Sequence, residues 1–414
     1  MTPQILFNII LIITIAGFAF DQWINYLNTT KLSNVLPDAL KGFYDEETYS
    51  KQQDYEKVNF KFSLLSDLLS FAVILAMLFL GGFAWVDGIV ISYTGYAILQ
   101  AIFFFGILGF ASDLLSLPLD IYHTFVIEER FGFNKTTPKT FVIDKLKGWL
   151  IAAFVGGGIL SMIVFIYEKS GSWFWVLAWI SISVFTLFIS YFYTTLLVPI
   201  FNKLSPLPEG DLRNAIQDVA SRADFSLKDI SIMDGSKRST RGNAYFSGFG
   251  RKKSIVLFDT LINEHSVDEL AAVLAHEIGH YKKKHVLKGL VSGVLQTGVL
   301  LFMLSLLLKS PMAALALGAA VPSFHMSVLA FGILYSPVSL LLGIMFHSIS
   351  RKHEYEADRF AVSLSKPGAL QEALKRLSIK SLSNLTPHPW YVFIHYSHPA
   401  LLQRLAGIDA CEKS

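Results

Sequence analysis

Ser266-Val267-Asp268-Glu269-Leu270-Ala271-Ala272-Val273-Leu274-Ala275-His276-Glu277-Ile278-Gly279-His280 reads as a helix start followed by a metal-ligand pair. Ser266 and Glu269 have capping-box spacing, in which each side chain satisfies a backbone N–H at the other's end. Leu270, Val273 and Leu274 then recur at the helical period. Residues four apart lie one above the other on a helix, so His276 and His280 can offer two imidazole nitrogens to one ion. Glu277 stands beside them, in reach of a water on that ion. Two histidines and a carboxylate base on one helix is the pattern of zinc-dependent peptide hydrolysis. The bland alternative, two surface histidines on a soluble helix, sits poorly with the built cap in front of the motif.

A catalytic zinc site needs a third protein ligand and an open position. The chain has one cysteine, Cys411. That excludes a disulfide framework and a cysteine-based metal site, leaving His, Asp or Glu. The best non-histidine stretch is Arg351-Lys352-His353-Glu354-Tyr355-Glu356-Ala357-Asp358-Arg359-Phe360. Glu354 and Asp358 share a helix face. One carboxylate can bind the metal while the other accepts the second N–H of a ligand histidine. Taken alone, the stretch fits a solvated charged helix equally well. Glu356, two residues further round the helix, is expected to tolerate alanine.

Outward from these motifs the chain is mostly apolar. Of 414 residues 53% are hydrophobic and 16% charged, and the mean hydropathy is +0.48. Soluble domains carry about 25% charged residues, so the fold class is an α-helical polytopic membrane protein. Net charge is +3, too small to argue for a nucleic-acid partner. Seven stretches have the length and apolarity of a membrane span: 4–27, 64–86, 94–117, 149–167, 173–201, 288–308 and 326–349. The start of the sixth is ambiguous, because it can run on from the helix before it. The domains expected are a membrane region, 1–201, with two loops; a polar metalloprotease region, 202–287; spans six and seven, 288–349; and a C-terminal region, 350–414, with the third ligand.

Loops 28–63 and 118–148 each hold five Lys or Arg, region 202–288 holds fourteen and the tail from 350 holds nine, or 33 of the 35 in the chain. With seven spans all four regions share one side. The positive-inside rule makes it cytoplasmic, with the N-terminus outside. Within the first polar region, 209–223 reads as a helix. Ser254-Ile255-Val256-Leu257-Phe258 reads as a strand that Asn243–Ser247 can pair with across Gly248–Gly250. Either strand could offer an open edge to an extended substrate. Gly156-Gly157-Gly158 could allow close helix packing.

Several motifs together resemble the type I CAAX prenyl protease family of integral-membrane zinc metalloproteases. They are Tyr49-Ser50-Lys51-Gln52-Gln53-Asp54-Tyr55, Ser239-Thr240-Arg241-Gly242-Asn243-Ala244-Tyr245-Phe246, Ile255–Leu261, His276–His280, Glu354–Asp358, and His395-Tyr396-Ser397-His398-Pro399 followed by Leu401, Leu402 and Arg404. The resemblance implies His276, His280 and Glu354 as ligands of one Zn2+ per chain and Glu277 as general base. It implies Asp358 as the carboxylate steadying a ligand histidine, His398 and Asn243 as groups on the substrate backbone or its oxyanion, and Arg404 as support. It also implies seven helices around an intramembrane chamber, and removal of the last three residues from proteins with a prenylated C-terminal cysteine. The partners expected are thus a protein or peptide substrate and membrane lipid. No long extra segment of the kind eukaryotic members can carry interrupts the spans. A bacterial inner membrane is therefore the preferred location, with the endoplasmic reticulum if the source is eukaryotic. Two other readings stand beside this one: a membrane quality-control metalloprotease, and a non-catalytic zinc-binding scaffold or transporter. Glu277 argues against the last, since a structural zinc site needs no free carboxylate beside its ligands.

Overall fold

The structure is a computed structural model, and it describes residues 2–33, 35–227, 229–247 and 254–413. Among these, six helical runs are long and apolar enough to cross a bilayer: Pro3–Thr29, Glu46–Phe79, Ala97–Phe131, Pro138–Phe201, His285–Leu307 and Phe324–Val362. The sequence predicts seven. The difference lies in Pro138–Phe201, which takes in both 149–167 and 173–201. It is interrupted at Gly171, whose φ of +52° only glycine adopts without cost, and by a short 3-10 turn, Gly171–Trp173.

Boundaries shift where local chemistry overrides hydropathy. Half of the predicted loop 28–63 is helix, because Asp45 caps Glu46–Phe79 by accepting the Thr48 N–H at 2.6 Å. The predicted span 64–86 stops early: the helix ends at Phe79 and Gly81, at φ +67°, turns the chain into a separate helix, Gly82–Tyr93. Helix Ala97–Tyr122 continues to Phe131 through a wide turn at His123–Glu128, into the predicted loop 118–148. The ambiguous start of span six is settled by Lys284, whose left-handed backbone separates Val267–Lys282 from His285–Leu307. The glycine triple does not mark a close approach, since a Cβ on Gly156, Gly157 or Gly158 would meet nothing within 4 Å.

Phe324–Val362 is one rod of 39 residues, about 58 Å long at 1.5 Å per residue. It carries predicted span seven and the Glu354–Phe360 motif without a break, so the division expected at 349/350 passes through it. At its start, buried His325 Nε2 lies 2.6 Å from buried Asp87 Oδ1, tying the rod to Gly82–Tyr93.

The polar region contributes a four-stranded sheet: β1 (Leu204–Pro206), β2 (Asp229–Met233), β3 (Ala244–Ser247) and β4 (Ser254–Phe258). Their order is β1-β2-β4-β3. β2 and β4 are parallel, and the outer pairs antiparallel. The expected pairing of 243–247 with 254–258 is present, Tyr245 opposite Val256; the expected turn, Gly248–Gly250, lies outside the described residues. β4 is central, with Ile255, Val256 and Leu257 wholly buried, so of the two proposed open edges only β3 remains. The sheet core joins Leu261, Leu270 and Leu274, which seats the helix Val267–Lys282 beneath it. Arg238 holds this region to the membrane helices, donating to Asp144 at 2.7 and 2.9 Å and to the Phe201 carbonyl at 2.9 Å.

Candidate metal centre

The helix carrying His276 and His280 begins as the sequence predicts. Ser266 Oγ accepts the Glu269 N–H at 3.3 Å and Glu269 Oε2 accepts the Ser266 N–H at 3.0 Å. Leu270, Leu274 and Ile278 are buried on its inner face. Gly279 lets the Phe324–Val362 rod come close, since a Cβ there would stand 3.1 Å from the Phe360 ring and 3.2 Å from the Ala357 Cα. That contact lays Glu354 and Asp358 against the histidines.

His276 Nε2 and His280 Nε2 are 3.1 Å apart. Glu354 Oε2 is 3.5 Å from the first and Oε1 is 3.2 Å from the second. A tetrahedral zinc with ligand bonds of 2.0–2.1 Å sets its ligand atoms about 3.3–3.4 Å apart, so the two nitrogens and the carboxylate that faces them, one oxygen toward each, stand at separations close to those of zinc ligands. Glu354 Oε2 is also a buried oxygen without a hydrogen-bond donor. A carboxylate facing two imidazoles, with one of its oxygens left unpaired, is a donor set that a divalent cation satisfies. The three side chains are the group His276, His280 and Glu354 that can hold an ion.

The far side of His276 is held as well. Its Nδ1 is 2.9 Å from Asp358 Oδ1, and Arg404 Nε donates to Asp358 Oδ2 at 2.9 Å. Arg404 Nη1 also lies 3.5 Å from Glu354 Oε2, near enough for charge attraction but not hydrogen-bonded to it, so one guanidinium faces both carboxylates. His398 reaches the centre with Nε2 3.4 Å from Glu354 Oε1, while its Nδ1 is held by Ser397 Oγ at 2.9 Å. Its side chain stays mostly exposed, able to meet a bound molecule. Asn243 is not drawn in. It sits exposed before β3, its Oδ1 accepts the Ala244 N–H at 2.8 Å, and among the described residues no hydrogen bond or ion pair joins it to the cluster.

Glu356 is placed otherwise than expected. Its Oε2 is 3.1 Å from His285 Nε2, and His285 Nδ1 is 3.1 Å from His280 Nδ1. His285 was not singled out by the sequence; it opens the next helix, and only the reversal at Lys284 turns it back toward His280. A cavity of about 730 Å³ between the two long helices reaches His280, His285, His353 and Lys288. Asp113, on Ala97–Tyr122, is bonded to Lys145 at 2.8 Å and Trp149 at 3.0 Å beside a separate cavity of about 1090 Å³.

Chemically, the arrangement offers three ligand atoms on one side and a free carboxylate, Glu277, on the same helix. Burial pushes the Glu277 carboxyl above the usual carboxylate range, against the pull of the neighbouring histidines. A raised carboxyl is a better proton acceptor for a weakly acidic water.

The comparisons agree along the whole chain. Residues 25–203 match the CAAX prenyl protease N-terminal family, described as five membrane helices, and residues 206–412 match peptidase family M48. CAAX prenyl protease 1 of Saccharomyces cerevisiae is 33% identical, covering 96% of this chain and 93% of its own. The Arabidopsis thaliana homolog is 33% identical, with 97% and 98% covered; the Homo sapiens homolog is 31% identical, with 92% and 90% covered. The plant relative is as compact as this chain, so compactness carries no argument for a bacterial source. Crystalline Ste24p of S. mikatae superposes with a TM-score of 0.92 at 33% identity, over 98% of this chain and 99% of that one. A largely buried His-His-Glu cluster on two packed helices, in a multi-pass membrane chain that aligns almost end to end with these proteases, makes this protein a member of peptidase family M48, a metalloprotease of the CAAX prenyl protease 1 group.

Proposed function

We propose that this metalloprotease uses Zn2+ held by His276, His280 and Glu354 to cut proteins or peptides near a prenylated C-terminal cysteine, removing the last three residues. The observation that carries the metal reading is the convergence of two imidazole Nε2 atoms and the Glu354 carboxylate, one of whose oxygens has no hydrogen-bond partner. The substrate class rests on the relatives' names. Bound there, zinc would polarise the scissile carbonyl and acidify an attacking water. Glu277 takes a proton from that water and delivers it to the leaving amine. His398 Nε2–H donates to the carbonyl oxygen as it becomes negative, its ring aimed by Ser397. Asp358, backed by Arg404, keeps the His276 proton on Nδ1 and its Nε2 lone pair free. The free edge of β3 is offered as the site where extended substrate adds its main chain, with Asn243 at the start of that edge.

We also infer seven crossings rather than six. The 64-residue run Pro138–Phe201 would measure about 96 Å as a single rod, far beyond a bilayer core of about 30 Å, so the chain reverses at Gly171. Seven crossings put loops 28–63 and 118–148, region 202–287 and the tail on one side. Contacts among them support this: Tyr55 donates to Glu128 Oε1 at 2.6 Å and Arg241 lies 3.3 Å from Glu128 Oε2. Their lysines and arginines favour the cytoplasm for that side. The working division is membrane 1–201 and 288–349, catalytic 202–287 and 350–414.

The test is proteolysis of a farnesylated C-terminal peptide by the purified full chain, with and without chelator. Chelator-sensitive release of the terminal tripeptide is expected. Cutting of unprenylated, unfolded membrane protein, with none of the prenylated peptide, would favour the quality-control reading instead.

A further inference from the structure

The two candidate histidine ligands are held from behind by different means. His276 has the carboxylate of Asp358 on its Nδ1. His280 has another histidine there: His285 Nδ1, at 3.1 Å. The other nitrogen of His285 meets Glu356 Oε2, also at 3.1 Å. His285 itself is buried, and its ring is stacked on His353 with centroids 3.9 Å apart and planes 10° from parallel. It therefore has little freedom to turn.

Only one arrangement of protons satisfies all three groups. For His280 to present the Nε2 lone pair to a cation, its proton must be on Nδ1. His285 Nδ1 must then accept, so the single proton of neutral His285 sits on Nε2, where it faces the Glu356 carboxylate, an acceptor only. Each link determines the next. From these contacts we propose that Glu356 and His285 form a hydrogen-bonded relay that fixes the tautomer and ring orientation of His280 for metal binding. Both are positioning residues, acting through His280. The proposal rests on the reading of His280 as a ligand through Nε2.

The relay explains a feature of the local fold. Lys284 adopts a left-handed backbone, φ +59°, a conformation that costs a lysine on the order of 1 kcal/mol. Without that reversal His285 would continue up the helix axis, away from His280. It also changes the expectation for Glu356: alanine there removes the group that holds the His285 proton on Nε2.

The test uses purified full-length protein and two probes, Zn2+ and Co2+. Zinc affinity is read by competition with a chromogenic chelator, and ligand geometry by the visible absorption of the cobalt form. His285→Asn and His285→Gln carry the same amide, but only Asn places its oxygen where Nδ1 stands. Outer partners of this kind set metal affinity by about 10–100-fold. His285→Gln and Glu356→Ala should weaken zinc by that factor and alter the cobalt spectrum, while His285→Asn should stay close to wild type in both. Equal behaviour of the Asn and Gln variants, or wild-type affinity in Glu356→Ala, overturns the relay. His280→Ala is run in parallel and should lose the metal. Retention of one zinc in that variant would remove the ligand assignment itself, and the relay with it.

Discussion

Gly279 and Ala357 meet so closely that a Cβ on the glycine would lie 3.2 Å from the alanine Cα. Glycine in this position is what lets two helices, one from the polar region and one from the membrane, bring a histidine pair and a carboxylate to one point. The neighbouring atom is backbone and cannot step aside. Gly279→Ala should therefore destabilise the chain by about 1–3 kcal/mol, the usual result of overpacking, and push Glu354 away from the histidines. Thermal unfolding and zinc content should both fall. Unchanged values in both would mean the helices have slack that this contact does not suggest.

The metal itself is the next expectation. Purified protein should carry about one zinc per chain, the complement of a two-histidine, one-carboxylate site. His276→Ala and His280→Ala should each lose most of it, as elemental analysis would read directly. A chelator should abolish turnover, and added zinc should restore it.

Glu277→Gln keeps the size of the side chain and leaves the ligand atoms in place. It cannot accept a proton from water. Zinc content should remain at the wild-type level while kcat falls by about 10²–10⁴. Turnover near wild type would assign the base to another group.

Glu354 and Asp358 share a helix face but differ in what they touch. Glu354→Ala should lose zinc and activity together, because it removes the third ligand. Asp358→Asn keeps the shape beside His276 Nδ1 but weakens the hold on the ring. It should lower metal affinity by about 10–100-fold, with zinc still saturable at high concentration. The same affinity loss in both variants would mean that the two carboxylates have been given the wrong roles.

Tags in loops 28–63 and 118–148 and at the C-terminus should all be labelled from one side of sealed membranes, the cytoplasmic side. Opposite labelling of the two loops would require an odd number of crossings between them in place of two, and would displace Tyr55 from Glu128.

The periodic signals were legible in the chain alone. Ser266 and Glu269 announced a helix start, and His276 and His280 recur at the helical repeat, because capping and i,i+4 stacking involve only a few neighbouring residues. Apolar runs of about 20 residues marked the spans for the same reason: a bilayer tests each segment separately. The turns were less legible. Gly81 and Gly171 reverse the chain inside apolar sequence, where hydropathy has no contrast to report. Glu354 could be placed on a helix face but not, from spacing alone, at the metal. That required the fit of Gly279 against Ala357, 78 positions further along the chain. The rest belonged to tertiary structure entirely. His285 lies five residues beyond His280, on a different helix, and meets it only because Lys284 turns the backbone left-handed. Glu356, which faces away from Glu354 on its own helix, is used because a second helix brings His285 to it. Local pattern decides which face a side chain occupies; which partner stands opposite that face depends on packing between segments far apart in sequence, and no short window of sequence contains it.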